Sequence, residues 1–401
     1  MNRLVLIGNG FDKAHNLPTS YQEFIDWYWD GRFEFLKNCF SSVSEAALCD
    51  VAVSGFPAWY SFFEQGPSVI HEKSGTKLFL ELCQRGICRV SMTPLFERIH
   101  KSIETKGWVD IENDYYELLK KYVLDNASEA QIDDLNTQLH NLQELLVKYL
   151  DSIEISDKLL NTGIREKIYA PFIFQEISIE GRHALIEHVE YGLNLDNKSL
   201  DDKFSQYGGH CYTSGFVDGY REKFGNKVIK EDELPKELLL PNQIMLLNFN
   251  YTHTADLYCK EASIFTVNQI HGDLDNPKSV IFGYGDELDD DYKTIVNKNE
   301  NKFLGNIKSI KYLEADNYRR LLSFIESEPY QVIIMGHSCG NSDRTLLNTL
   351  FEHKNCVSIK PYYRKDKDNY IELVQNISRN FTDMKLMRDR VVNKTYCEPL
   401  T

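Results

Sequence analysis

Residues 1–24 read MNRLVLIGNGFDKAHNLPTSYQEF, a short apolar run that leads directly into a glycine-containing turn. The run at residues 4–7 predicts a buried β-strand, and the apolar spacing at residues 21–29 predicts a helix. A glycine turn between a first strand and a helix lets the backbone approach a phosphate closely, although a simple tight turn explains it as well. The dehydrogenase fingerprint is not supported, because Lys13 stands where its third glycine is required.

Further apolar runs of strand length appear in the second half of the chain. Most are continuous rather than alternating, which is typical of parallel strands covered by helices on both faces. They lie at residues 243–248, 264–270, 279–282, 331–335 and 355–360.

The pattern predicts an α/β fold with a doubly wound parallel sheet and a large inserted α-helical domain. Residues 1–32 and 238–401 are predicted to form the sheet domain, and residues 33–237 the helical insertion, because few strand signals occur there. Polar segments at residues 194–202 and 284–301 are predicted to be loops.

Composition excludes several classes of function. The 401 residues are 42% hydrophobic, enough for a substantial core, and carry a net charge of −15. Such a charge disfavours general binding to nucleic acid or to an anionic membrane surface. No apolar run approaches the roughly 20 residues that span a bilayer, and a signal peptide is not expected. The nine cysteines, without a CxxC pair, indicate reduced thiols of a cytoplasmic protein and no zinc site.

Polar motifs follow several predicted strands, at the sheet edge where parallel folds bind ligands. Asn250 could hold a ribose hydroxyl or a water, or close an Asx turn. His271 could act as a general base near neutral pH, or be structural. Residues 336–340 spell GxSxG, the nucleophile elbow of an esterase, but the later His353 lies too close to complete a triad with Ser338. A second glycine turn that lines a nucleotide pocket, with Asp343 near its helix, fits the spelling equally well.

Two acidic positions in the insertion have alternative explanations. Asp110 and Glu112, in the stretch WVDIE at residues 108–112, are either solvated charges at a helix start or groups that close over the pocket.

Together and in order, five stretches resemble the AbiH-type bacteriophage abortive infection family. The resemblance spans nearly the whole chain, although WVDIE alone carries it within the insertion. The stretches are GNGFDKAHNLPTSYQEF (8–24), WVDIE (108–112), NFNYT (248–252), IHG (270–272) and GHSCGNSD (336–343).

The same motifs are more distantly similar to the sirtuins. The sirtuin Gly-Ala-Gly and Ile-Pro register is matched by Gly8, Gly10, Leu17 and Pro18. The catalytic Asn and His-Gly of the sirtuins are matched by Asn250 and His271-Gly272, and their late Gly-Thr-Ser turn by Gly336-His337-Ser338. The chain departs from the sirtuins at Tyr21, where they carry arginine, and at Thr252, where they carry aspartate. The sirtuin zinc module is also missing, so protein deacylation is not expected.

The resemblance implies an anti-phage effector that hydrolyses NAD+ at the nicotinamide–ribose bond. Asn250 would orient the ribose and the water, and His271 would be the base. Phe11 and Asp12 would lie near the nicotinamide end, and Ser338 and Asp343 near the adenosine half, with Asp110 and Glu112 as accessory groups. The complete predicted binding set is Gly8, Asn9, Gly10, Phe11, Asp12, Pro18, Thr19, Gly272, Gly336, His337, Ser338 and Asp343.

The alternative is a sensor that binds NAD or ADP-ribose without cutting it and acts through a partner or through self-assembly. A phage-derived trigger and a homo-oligomer are compatible with either function. NAD+ is expected as the substrate, with no further cofactor.

Overall fold

The computed structural model describes residues 1–39, 43–45, 48–53, 61, 74–106, 110–207, 213–224, 234–259 and 264–401. Its strands are β1 (Asn2–Ile7), β2 (Val43–Glu45), β3 (Cys49–Val53), β4 (Cys88–Met92), β5 (Ile244–Asn248), β6 (Phe265–Gln269), β7 (Tyr330–Met335) and β8 (Cys356–Tyr362). Its helices are α1 (Asn9–Ala14), α2 (Tyr21–Cys39), α3 (Gly75–Gln84), α4 (Pro94–Lys106), α5 (Ile111–Leu124), α6 (Glu129–Asp151), α7 (Thr162–Tyr169), α8 (Arg182–Asn194), α9 (Asn197–Gln206), α10 (Ser214–Phe224), α11 (Asp290–Val296), α12 (Lys308–Lys311), α13 (Asn317–Ser327), α14 (Arg344–Phe351), α15 (Tyr370–Arg379) and α16 (Met384–Arg390).

Five strands form one parallel sheet in the order β6-β5-β1-β7-β8. Counted along the chain, this order is 3-2-1-4-5, which is the order of doubly wound sheets. Ile7 at the end of β1 lies opposite both Asn248 and Met335. The carboxyl ends of β1, β5 and β7 therefore lie side by side at the point where the strand order reverses. The predicted α/β class and parallel sheet are confirmed.

Both faces of this sheet are covered, as the continuous apolar strands predict. Leu4 and Leu6 of β1 pack in one hydrophobic cluster with residues of α13 and α14. Val5 and Ile7 point to the opposite face and pack in a second cluster with residues of α7. The central strand is thus buried along its whole length.

A third hydrophobic cluster forms the helical lobe, which we define as α2–α6 with β2–β4. Its core surrounds Trp29, whose ring stacks on Phe79 with a centroid distance of 3.9 Å. The strands β2, β3 and β4 form an antiparallel sheet within it. This sheet corrects the expectation of a purely helical insertion. The strands are 3 to 5 residues long and mix polar with apolar residues, so no continuous apolar run marks them in the sequence.

The rest of residues 33–237 packs differently. Ile164 and Ile168 of α7 cover the parallel sheet itself, and α8–α10 form a separate cluster with Met1 and Val357. Hydrophobic clusters therefore cross the predicted domain boundaries, and the division into two domains stays a prediction.

Three segments differ from their predicted secondary structure. Residues 279–282 do not form a strand, although Ile281 N donates to His271 O at 2.8 Å. The helix α9 begins in the first predicted loop and α11 lies within the second. Each is capped by an aspartate side chain, Asp196 and Asp289, that accepts from a backbone N–H. These short helices are rich in charged and polar residues, a composition that is typical of loops.

Candidate active site

A cavity of about 390 Å³ lies between the carboxyl edge of the parallel sheet and the helical lobe. Most of the residues predicted from sequence meet there, although they come from distant segments of the chain. Those that line the cavity are Gly8, Asn9, Gly10, Asp12, Thr19, Asp110, Glu112, Asn250, His271, Gly336, His337, Ser338 and Asp343. Trp108 and Val109 of the WVDIE stretch lie outside the described residues.

Three predicted residues do not line the cavity. Phe11 is fully buried beneath the sheet and packs against His15 and Tyr258. Pro18 is exposed, and its carbonyl accepts a hydrogen bond from the Tyr149 hydroxyl. Gly272 has a φ of +78°, and a Cβ there would lie 2.1 Å from Ser279 O. The turn itself therefore requires a glycine at this position.

The two glycine turns of the site interlock. Gly10 N donates to Gly336 O at 2.8 Å. Gly336 has a φ of +76°, and a Cβ there would lie 2.0 Å from Phe11 N. A Cβ on Gly8 would lie 2.6 Å from His337 Cα. Contact between the two backbones thus accounts for these glycines before any phosphate is considered.

In the NFNYT stretch, Asn248 closes the Asx turn, while Asn250 faces the cavity where a ribose hydroxyl or a water could bind. Asn248 forms the Asx-type turn, because its Oδ1 accepts from Asn250 N at 3.1 Å. Asn250 is free of that role, and its Nδ2 donates to Gly8 O at 3.1 Å. Since Asn248 pairs with Gln269, Asn250 and His271 each follow the paired residues by two positions. The parallel register brings both side chains to the cavity.

His271 is held at one ring nitrogen. Its Nε2 lies 3.1 Å from Tyr312 Oη and 3.3 Å from Asp343 Oδ1. Among the described residues, no hydrogen-bond partner is found for Nδ1. Burial, together with the charge of Lys308, lowers the pKa of His271. We assign the proton to Nε2 because this nitrogen faces the carboxylate, which leaves Nδ1 as an acceptor.

Asp343 contacts several titratable groups in the site. Its Oδ1 lies 2.8 Å from Lys308 Nζ, and its Oδ2 lies 3.5 Å from His337 Nε2. Burial alone would raise the pKa of Asp343, but Lys308 and His271 together hold it well below its usual range. The residue predicted to contact an adenosine half therefore lies beside the histidine.

Three other carboxyl groups face the same cavity. Asp12 is 1% exposed; its Oδ2 accepts from Thr252 Oγ1 at 2.7 Å, while its Oδ1 has no hydrogen-bond partner. Burial raises the pKa of Asp12 to about 6. Asp110 caps α5 by accepting from Asn113 N at 3.0 Å. Burial raises the pKa values of both Asp110 and Glu112. Lysine and arginine are absent from the cavity lining that the structure describes.

Sequence reasoning missed Lys308, Tyr251 and Tyr312 as parts of the site. Lys308 is only 1% exposed and bridges Asp343 to Glu112 Oε2 at 3.0 Å. A lysine in a polar segment gives no signal that it is buried, so only the fold reveals it. Tyr251 lies within the NFNYT stretch and lines the cavity, with its hydroxyl donating to Ile281 O at 3.1 Å.

The fold and the site define an α/β protein whose parallel sheet carries an acidic cavity at its carboxyl edge. Sequence comparison is more specific. The chain belongs to the family described as bacteriophage abortive infection AbiH, whose model matches residues 4–364. This confirms the predicted AbiH membership and connects the chain with abortive infection.

The remaining comparisons add no relative. No curated protein and no solved structure matches the chain significantly, so the sirtuin-like core stays a prediction. Within the described ranges, we find no helix with both the length and the apolar character required to cross a bilayer.

Proposed function

We propose that this protein is a cytoplasmic effector of abortive infection that hydrolyses NAD+ at the nicotinamide–ribose bond. One observation carries the proposal: Asn250, His271 and four carboxyl-bearing side chains line a single cavity at the switch point of a parallel sheet. NAD+ is the proposed substrate, without a further cofactor, and a phage-derived signal is the proposed trigger.

The charge of the cavity supports cleavage at a cationic centre. Nicotinamide leaves NAD+ as a neutral molecule and takes the electrons of the broken C–N bond, so it needs no proton. The ribose then acquires oxocarbenium character, as in glycoside hydrolysis. Carboxylates that face the cavity stabilise such positive charge. Asp12, Asp110, Glu112 and Asp343 are suited to this task.

The pyrophosphate of NAD+ requires a different part of the site. Because its negative charge is repelled by the carboxylates, we propose that it lies at the open side, near the exposed side chains of Asn9 and Ser338. The cationic nicotinamide riboside half then occupies the acidic interior.

We propose that His271 acts through Nδ1. As water attacks the ribose carbon, a new C–O bond forms and the water proton passes to Nδ1, while Asp343 and Tyr312 hold Nε2. This arrangement follows the general logic of an oriented base. Asn250, whose Nδ2 is engaged by Gly8 O, offers its Oδ1 to a ribose hydroxyl or to the attacking water.

A second candidate is a sensor that binds NAD or ADP-ribose without hydrolysis and acts through a partner or through self-assembly. One observation favours it. Thr252, at the position of the sirtuin aspartate, is 1% exposed and donates inward to Asp12. The residue at this position is therefore engaged within the protein.

Nicotinamide release separates the two candidates. Purified protein is incubated with NAD+, alone and with lysate from phage-infected cells, and nicotinamide is quantified. We expect release by the wild type and its loss in Asn250→Ala and His271→Ala. His353→Ala is the matched control, since His353 pairs with Glu326 at 3.1 Å outside the cavity.

The outcomes are distinct. NAD+ binding without nicotinamide release under either condition would support the sensor and refute the hydrolase. Equal loss of release in His353→Ala would show that the variants fail through folding rather than chemistry.

A further inference from the structure

We propose that Lys308 is a positioning residue that fixes the Asp343 carboxylate against His271 and joins both to Glu112 of the helical lobe. For its role in catalysis, this inference rests on the proposed NAD+ hydrolysis. The arrangement of charges around His271 can be tested without it.

The geometry of Lys308 is that of a buried bridge. Its Nζ lies 2.8 Å from Asp343 Oδ1 and 3.0 Å from Glu112 Oε2. Its backbone N–H donates to Tyr284 O at 2.9 Å. The lysine is 1% exposed and is not part of the cavity lining, so it acts from behind the carboxylates.

Lys308 and His271 face the same carboxylate oxygen of Asp343. Asp343 Oδ1 accepts from Lys308 and is also the oxygen that faces His271 Nε2 at 3.3 Å. A buried carboxylate without this cation would take up a proton or turn away, because burial disfavours its charge. Lys308 therefore keeps Asp343 both charged and in place, and so fixes which nitrogen of His271 is free.

Several elements contribute the titratable groups around Asp343 and His271. Lys308 faces Glu112 from α5 and Asp343 from the turn before α14. Asp343 also faces His271 and His337, and Tyr312 contacts His271. Asp110 and Tyr251 are further titratable groups near the carboxylates. The charge of Lys308 lowers the pKa values of both His271 and Asp343.

A purely structural role makes a different prediction from a positioning role. A buried lysine that only joins the helical lobe to the turn that carries Asp343 would change stability when replaced, while His271 would titrate as before. A positioning lysine would change the titration of His271 in protein that is still folded. The test must therefore measure His271 directly.

The first measurement is the pKa of His271 by NMR in the full chain. The signal is assigned among the 11 histidines by its loss in His271→Gln. We expect Lys308→Met to raise the pKa at which the His271–Asp343 pair takes up a proton by about 1–3 units, because the variant removes the positive charge that lies beside Asp343. Lys308→Met/Glu112→Gln removes one charge of each sign and provides a second variant if the single one does not fold; the pKa rises in it too.

Lys302→Met is the matched control. Lys302 also bridges two carboxylates, Glu129 at 3.1 Å and Asp133 at 2.7 Å, but at the surface with 35% of its side chain exposed. We expect no change in the pKa of His271 in this variant. An unchanged pKa in both Lys308 variants would overturn the positioning role.

The second measurement is the pH dependence of nicotinamide release. The active form requires ionised Asp343 and neutral His271, and Lys308→Met raises both pKa values. The acidic limb of kcat is therefore expected to move to higher pH by about 1 unit or more.

The experiments distinguish failure of the NAD+ hydrolase proposal from failure of the role proposed for Lys308. Absence of nicotinamide release by the wild type refutes the hydrolase, while the NMR titration still decides the role of Lys308. Release with an unchanged pKa of His271 refutes the role of Lys308 and leaves the hydrolase standing.

Discussion

Replacing Gly336 with alanine is expected to destabilise the fold at the point where the two glycine turns meet. The φ of +76° and a Cβ only 2.0 Å from Phe11 N both oppose a side chain there. The left-handed conformation costs a residue with a Cβ roughly 1–2 kcal/mol. Forced overpacking adds about 1–3 kcal/mol. We therefore expect a loss of about 2–5 kcal/mol in the free energy of unfolding.

Gly86→Ala separates the two contributions. Gly86 has a φ of +66°, but an added Cβ would meet nothing within 4 Å, so only the backbone term of roughly 1–2 kcal/mol applies. Urea-induced unfolding followed by far-UV circular dichroism measures both variants against the wild type. Equal losses for Gly86→Ala and Gly336→Ala would refute the view that the turns interlock.

Three further substitutions test the charges and the caps. Asp12→Asn should remove a pH dependence of stability. Between the ordinary pKa of 3.8 and about 6, the folded wild type holds a proton on Asp12 that the unfolded chain has lost. The free energy of unfolding of the wild type therefore falls by about 3 kcal/mol as pH rises through this window. Urea unfolding from about pH 4 to about pH 7 checks this, and parallel curves for both proteins would contradict it. Asp110→Ala should cost about 1 kcal/mol by uncapping α5, whereas Asp110→Ser keeps the cap and the stability; equal losses in thermal unfolding would exclude capping. Lys360→Met should cost about 3–5 kcal/mol, because it leaves Glu176, 2.6 Å away and buried, without its cation; nicotinamide release by the folded fraction should not change.

Much of the parallel sheet could be predicted from the sequence. β1, β5 and β7 are continuous apolar runs bounded by polar turns, and the motifs that follow them mark the carboxyl edge. The strands β2 to β4 could not be predicted, because each mixes polar with apolar residues and none forms a continuous apolar run. Residues 279–282 are apolar like a strand, yet Gln143 Nε2 donates to Val280 O at 2.8 Å instead of a neighbouring strand.

The candidate site was partly predictable for the same reason. Asn250 and His271 follow adjacent parallel strands, so their meeting at the cavity depends only on register. The link between Glu112, Lys308 and Asp343 joins three segments far apart in the chain, and no spacing rule connects them. Side-chain burial, which decides their pKa values, is likewise a property of the folded protein.

The most direct test of the central claim is the fate of NAD+ in water enriched in oxygen-18. Wild-type protein activated by infected-cell lysate is incubated with NAD+, and the products are resolved by mass spectrometry. Hydrolysis at the nicotinamide–ribose bond predicts free nicotinamide and ADP-ribose carrying one oxygen-18 atom, with neither product formed by Asn250→Ala or His271→Ala. Intact NAD+ recovered from protein that binds it would contradict the account.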